Sequence, residues 1–322
     1  MIARSMRPNY TLRMLKWLVI GIGDITTKRA LPAILSEPRS RLTGIVTRDP
    51  KKAEPYGVPG WTDLDQALAE SGCDAVYVGS PVFLHAPQTI ASLREGKHVL
   101  CEKPVSMNYA SALSMQKAAE KSDRVFGVAY YRRMYGQVNR ARELMAAGAI
   151  GRPVVAEATS HSWFHPTNGV REWFIDPAMA GGGPLFDIAS HRIDLMNYLF
   201  GDPVRATGQI STIVHPTEVE DNATVLIEYG NGVRGIVDVR WHSHADRDEF
   251  RIRGTDGEID MTPLNSGVLR YPGGEENLPP HKNLHYPCVE NFVSAVLDRT
   301  PLRSTGASAI LTDWVTGQVM QT

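Results

Sequence analysis

Three cysteines, Cys73, Cys101 and Cys288, are all that 322 residues carry, and none stands in a C-x-x-C pair. That scatter excludes a disulfide scaffold, argues against a structural zinc site, and suits a reducing cytoplasm. No apolar run approaches the length of a membrane span. Neither sign of charge is in excess, since 34 basic residues against 35 acidic leave a net charge of −1. The global electrostatic footprint of a nucleic-acid or anionic-membrane binder is therefore missing. Internal repeats and low-complexity segments are absent too. The first fourteen residues hold Arg4, Arg7 and Arg13 but no apolar core for a signal peptide. Residues 1–14 are read as a disordered tail, or as lying upstream of a natural start at Met14. What remains is a cytoplasmic chain long enough for two domains with proper cores.

The chain is organised around Gly21-Ile-Gly23-Asp24-Ile25-Thr26. The apolar run before it, residues 15–20, reads as a buried strand, and residues 28–35 after it read as a helix. Strand, glycine turn and helix start place backbone N–H groups against a phosphate. Gly21 permits the turn, and Gly23 lets a pyrophosphate approach the backbone beside Asp24 and Ile25. Thr26 stands where the usual fingerprint has its third glycine. Further strands are expected at 41–47, 74–79, 97–101 and 124–129. Between them come helices, one with a start signal at Thr62, the others over 85–95 and 109–121. This alternation predicts a parallel, doubly wound sheet with ligands at the carboxyl ends of its strands.

Residues just after each strand are therefore the candidate binding groups. Thr47 and Arg48 follow the second strand, where a NAD site has an acidic residue for the ribose hydroxyls. An arginine there can hold a 2′-phosphate, so NADP is favoured over NAD, with Asp49 as an alternative ribose partner. The next strand ends in Gly79-Ser80-Pro81, with His85 opening a helix, and this loop would run under the nicotinamide ribose. Then comes Cys101-Glu102-Lys103-Pro104, at the carboxyl edge of a strand near the sheet centre. A lysine placed there can hydrogen-bond a substrate hydroxyl, and a low-dielectric cleft would make it a better proton acceptor.

The second half has its own pattern. A helix over 138–147 and a strand over 153–159 lead to a loop containing Trp163, His165, Arg171, Trp173 and Phe174. Rings can stack on sugar faces, and Arg171 would suit a carboxylate or phosphate on a substrate. The tryptophans serve equally well to close an interface between domains. The triple glycine 181–183 lets the backbone approach something bulky. On the helix expected over 185–199, Asp187 and His191 are four apart, and Asp194 is three further along the same face. A histidine titrates near neutrality, so His191 would exchange a substrate hydroxyl proton. Asp187 or Asp194 would orient it or bind a neighbouring hydroxyl. A metal reading lacks a further histidine or cysteine at suitable spacing, so no metal is expected. Strands follow at 205–214, 223–229, 233–241, 249–253 and 258–261. A helix over 286–297, expected to return toward the first domain, and another over 307–319 close the chain.

Gly21-x-Gly23, Pro81-x-x-x-His85, Glu102-Lys103-Pro104 and the stretch from Gly181 through Asp187 and His191 to Asp194 occur in this order. Together they resemble the glucose–fructose oxidoreductase, inositol dehydrogenase and rhizopine catabolism (Gfo/Idh/MocA) family over nearly the whole chain. Tyr130 to Arg133 resembles the segment joining that family's two domains, although many members have asparagine where Tyr131 stands. The resemblance implies an NAD(P)-dependent oxidoreductase acting on a sugar, polyol or related hydroxy compound. It implies an α/β fold, with a Rossmann domain over 15–133. The domain over 134–322 would be α/β with a large, open, mostly antiparallel sheet. The outer face of that sheet would carry homodimer or homotetramer contacts. By position, Lys103 matches the catalytic lysine, and Asp187 and His191 match the substrate-site pair. The expected cofactor residues are Gly21, Gly23, Asp24, Ile25, Thr47, Arg48, Ser80, Pro81, His85, Glu102 and Lys103. The expected substrate residues are Tyr131, Trp163, Arg171, Trp173 and Asp194. Two alternatives stand beside this reading: an epimerase-type enzyme that keeps its cofactor tightly bound, and a dinucleotide-dependent sensor without chemistry.

Overall fold

A computed structural model describes residues 13–164 and 172–321. Six strands form a parallel sheet: β1 (Leu15–Ile20), β2 (Ser40–Val46), β3 (Gly60–Trp61), β4 (Ala75–Val78), β5 (His98–Cys101) and β6 (Phe126–Val128). Their order is β3-β2-β1-β4-β5-β6, all parallel, with the order of addition switching sides between β1 and β4. All four residues of β4 are buried, as are five of six in β1, because helices cover both faces of a parallel sheet. Those helices are α1 (Leu31–Ser36), α2 (Leu64–Glu70), α3 (His85–Arg94) and α4 (Tyr109–Ser122). A π-helical turn over Thr26–Ala30 leads into α1. The cap of helix α2 lies one residue later than the expected Thr62. Asp63 holds that position, and its Oδ1 accepts from the Gln66 N–H at 2.7 Å.

The carboxyl ends of the strands are tied together by main-chain bonds that run past the ladders. Gly21 N–H donates to Val46 O, Gly79 N–H to Ile20 O, Glu102 N–H to Val78 O and Ala129 N–H to Cys101 O, all at 2.8–2.9 Å. The glycine turn, the Gly79-Ser80 loop, the Glu102-Lys103 loop and the Tyr130-Tyr131 segment thereby line one edge.

After α5 (Gly136–Ala146) the chain enters a second sheet through β7 (Pro153–Trp163). Helices α6 (Pro177–Ala180) and α7 (Ser190–Phe200) follow, α7 being preceded by a π-helical turn over Leu185–Ala189. The sheet is completed by β8 (Pro203–Ser211), β9 (Asn222–Tyr229), β10 (Arg234–Arg240), β11 (His242–Gly254), β12 (Glu258–Asp260), β13 (Val268–Tyr271) and β14 (Gly274–Asn277). Its order is β14-β13-β12-β11-β7-β10-β9-β8, antiparallel except where β7 meets β10. Register separates its two faces. The rank Ala206, Ile227, Gly235, Ala156, Ile252, Ile259 is buried, and Met196 of α7 packs on it at Gly235. The next rank, with Thr207, Leu226, Ile236 and Glu157, faces outward, and Leu226 is 52% exposed. Strands β13 and β14 were not expected, being four residues each with little apolar alternation.

Helix α8 (Tyr286–Asp298) does return to the first sheet. Phe292 meets Trp17 of β1 with ring centroids 5.3 Å apart, and Arg39 bonds Asp298 at 2.6 Å. Helix α9 (Gly306–Val319) packs against α4, α7 and β8. Among the described residues no helix is long and apolar enough to cross a membrane, and no cluster of histidine, cysteine or acidic side chains has metal-site geometry.

Candidate active site

One cleft, about 260 Å³, runs from the glycine turn to the start of α7. Its floor is the carboxyl edge of the parallel sheet. Of the expected cofactor residues, Gly23, Asp24, Ile25, Ser80, His85, Glu102 and Lys103 line it, and Tyr131, Trp173, Asp187 and His191 face them.

The two glycines do different work. Gly21 has φ +84°, and a Cβ there would lie 2.8 Å from Gly79 O, so the turn itself demands glycine. A Cβ on Gly23 would meet nothing within 4 Å. That open space is the cradle a pyrophosphate needs for close approach to the backbone. The residues present therefore fit a bound dinucleotide. Thr26, in place of the third glycine, is 1% exposed and is accommodated by Gly79, whose Cβ would stand 2.5 Å from Thr26 Oγ1. His85 is a tie between loops: its Nδ1 lies 2.9 Å from Pro104 O and its Nε2 2.9 Å from Ser80 O. At the end of β2, Thr47 N–H donates to Trp61 O at 2.8 Å, and Arg48 is exposed. Asp49 caps the short helix Pro50–Tyr56, its Oδ1 accepting from Lys51 N–H at 3.2 Å.

The substrate side is built from side chains. Lys103 Nζ donates to Asp187 Oδ1 at 2.8 Å and to Asp187 O at 3.2 Å, which fixes the ammonium in the cleft wall. His191 is 4% exposed, and its Nδ1 has no hydrogen-bond partner among the described residues. Burial, reinforced by Arg132, Lys103 and Arg192, pushes its pKa well below the ordinary histidine value. Burial therefore works against the expected titration near neutrality and favours the neutral imidazole.

Glu102 does not face the cleft as a free carboxylate. Tyr77 OH donates to its Oε1, which also lies 2.8 Å from His285 Nε2, and Lys103 N–H donates to Oε2 at 3.1 Å. Burial opposes its ionisation, but His285, Tyr77 and Lys103 outweigh that and hold the carboxyl at about 2.

Asp194 is also corrected. It lies in a buried pair with Arg133, Nη2 to Oδ1 at 2.5 Å and Nε to Oδ2 at 2.9 Å, both side chains 1% exposed, and it does not line the cleft. The π-helical turn before α7 adds a residue to one turn. Asp187 and His191 both face the cleft, while Asp194, further along α7, is turned away from it. Trp163 belongs to β7 rather than to a loop and stacks on His244 at 4.0 Å, away from the cleft lining. Trp173 lines the cleft beside Phe174, their ring centroids 4.2 Å apart. Arg171 and His165 lie outside the described residues. Pro81 caps a short helical turn next to the cleft without lining it.

Sequence reasoning missed His285, Arg29 and Arg132. Tyr131 lies between them, its ring 5.1 Å from His191 and 5.0 Å from His285. The guanidiniums of Arg132 and Arg29 lie 5.0 and 5.8 Å from its centroid. Arg132 stood in the quoted Tyr-Tyr-Arg-Arg segment without a role. His285 follows no motif and is brought in only by the return of the chain into α8.

Known proteins share this architecture. The family profile described as an oxidoreductase family with an NAD-binding Rossmann fold matches residues 15–130. The profile of the GFO/IDH/MocA C-terminal domain matches residues 138–260. The 1,5-anhydro-D-fructose reductase of Ensifer adhaerens is 28% identical over 310 residues, 92% of each chain. The myo-inositol 2-dehydrogenase of Thermotoga maritima is 28% identical over 236 residues, 68% of this chain and 66% of that one. Among solved structures, an aldose-aldose oxidoreductase from Caulobacter crescentus complexed with glycerol is 25% identical, with a TM-score of 0.85 over 96% of this chain and 97% of that one. Two profile matches in the right order, on a fold whose cleft joins the glycine turn to Lys103, Asp187 and His191, place this chain in the Gfo/Idh/MocA family of oxidoreductases.

Proposed function

We propose that the protein moves a hydride between a nicotinamide dinucleotide and a hydroxyl-bearing carbon of a sugar or polyol. The observation that carries this is the Lys103–Asp187 pair, with His191, facing the open glycine turn across one cleft. A bound nicotinamide supplies the hydride acceptor or donor; the protein supplies orientation and the proton. Lys103 exchanges a proton with the substrate oxygen. As an ammonium held by Asp187 it gives the proton when a carbonyl is reduced, and it takes the hydroxyl proton back when the alcohol is oxidised. His191, neutral, hydrogen-bonds the same oxygen or its neighbour and adds no charge. His285 and Tyr77 anchor Glu102, which holds the Lys103 backbone in place. Trp173 offers a ring face to the sugar.

The cofactor we assign is NADP. Asp49, the nearest acid to the end of β2, is used as a helix cap, while Arg48 beside it is exposed and carries the guanidinium that a 2′-phosphate would need. We assign the outward rank of the second sheet, with Leu226 and Ile236, to contacts between copies of this chain. The test is a fluorescence titration of the protein with NADPH and with NADH. NADPH is expected to bind at least about tenfold more tightly, and Arg48→Ala to erase that preference. Equal or tighter binding of NADH by the unaltered protein overturns the assignment.

A further inference from the structure

Buried charges in proteins are paired, because an uncompensated ion in a low-dielectric interior is strongly unfavourable. Arg132 breaks this rule. Its side chain lines the cleft and is 6% exposed, yet Nε and Nη1 have no hydrogen-bond partner among the described residues. Every acid lining the cleft is engaged elsewhere. Glu102 is held by His285 and Tyr77, Asp187 by Lys103, and Asp24 pairs with Lys28 at 2.6 Å. Behind Arg132 lies Arg192, already paired with Asp248, whose charge adds repulsion rather than relief. Residues 1–12 and 165–171 contain no aspartate or glutamate, so they offer no acidic side chain either. Arg29, on the same Tyr131 ring and 3.5 Å from its hydroxyl, has no carboxylate partner among the described residues. Two guanidiniums thus flank one tyrosine in the cleft, Arg132 from the segment after β6 and Arg29 from the π-helical turn that follows the glycine turn.

We propose that this cleft takes a sugar or polyol bearing a carboxylate, and that Arg132 and Arg29 bind that carboxylate. The inference rests on the oxidoreductase reading of the cleft and names its substrate class. The planar fork of a guanidinium matches a carboxylate. Tyr131 supplies the surface on which both guanidiniums are held.

The experiment offers matched pairs to the protein saturated with NADP⁺ or NAD⁺: glucuronate against glucose, galacturonate against galactose, gluconate against glucitol, with glucose 6-phosphate as a phosphate arm. Turnover is read from nicotinamide absorbance and binding by calorimetry. An acid member is expected to be preferred over its neutral partner by at least about tenfold. Arg29→Met should weaken that acid about tenfold, and Arg132→Gln should weaken it about 100-fold, with cofactor affinity unchanged. Arg29 is partly exposed, so its variant decides the matter if Arg132→Gln fails to fold. If acids bind the cofactor-loaded protein with this dependence but no member turns over, the anion subsite stands and the oxidoreductase reading fails. Preference for neutral members or for the phosphate, no binding of any acid, or an acid preference that neither variant alters overturns the proposal.

Discussion

Arg132 and Arg133 are neighbours in sequence and opposites in environment. Arg133 is matched by Asp194 within the protein, is bonded further to Ser308 and Arg303 O, and holds α7 against α9. Arg132 has no such match and points into the cleft. The difference extends to the two halves of the cleft. The dinucleotide half is mostly backbone: a glycine turn, strand ends tied by main-chain bonds, and an open cradle at Gly23. The substrate half is side chains from six separate stretches, residues 29, 102–103, 131–132, 173–174, 187–191 and 285, several with polar atoms left unpaired. Paired groups specify the fold; unpaired ones in a cleft await a ligand.

The sharpest break of this comparison is at Lys103. Lys103→Met should lower kcat by about 10²- to 10⁴-fold, the usual contribution of a positioned proton-transfer group. Melting temperature and NADPH affinity should hold, because the side chain is partly exposed in the cleft. Unchanged turnover removes the role given to Lys103. Next is the paired arginine's partner. Asp194→Ala leaves Arg133 buried without its counter-ion and should cost about 3–5 kcal/mol in urea unfolding. A loss under about 1 kcal/mol there would show that the pair is dispensable.

The glycines give a smaller but cleaner contrast. Gly21→Ala forces a left-handed φ and a contact with Gly79 O, so it should cost stability, about 1–2 kcal/mol or more. Gly23→Ala should leave stability within about 0.5 kcal/mol yet weaken dinucleotide binding about tenfold or more. If both variants lose stability alike, Gly23 is structural and the cradle reading fails.

The smallest effect is on pH dependence. Burial lowers the pKa of His85 and His191 below the unfolded value near 6.5. Below that value the unfolded chain binds protons that the folded chain does not, so stability falls as pH is lowered from 7 toward 5. The slope is at most about 1.4 kcal/mol per pH unit for each histidine. Urea midpoints measured at pH 5, 6 and 7 check the sign; a midpoint that rises on acidification contradicts it.

The strands and helices of the first sheet were legible because period and glycine placement are local properties. Leu15–Ile20, Ala75–Val78 and His98–Cys101 are short apolar runs bounded by turns, and they landed within a residue or two of expectation. Lys103, Asp187 and His191 were legible by resemblance to a family, and their convergence on one cleft is what the fold adds. Asp194 was misplaced because helical spacing assumes 3.6 residues per turn, and a π-helical turn precedes α7. His285 had no signal at all: 182 residues separate it from Lys103, and only the packing of α8 on β1 joins them.

By itself, then, the sequence determined the parallel sheet, its ligand-bearing edge and the glycine turn, since each follows from backbone geometry over a few residues. Only the tertiary structure decided which charges are neutralised. Whether Arg132 or Arg133 finds a carboxylate depends on where Asp194, Glu102 and Asp187 point after folding, and electrostatic pairing is a property of distances in space, not along the chain.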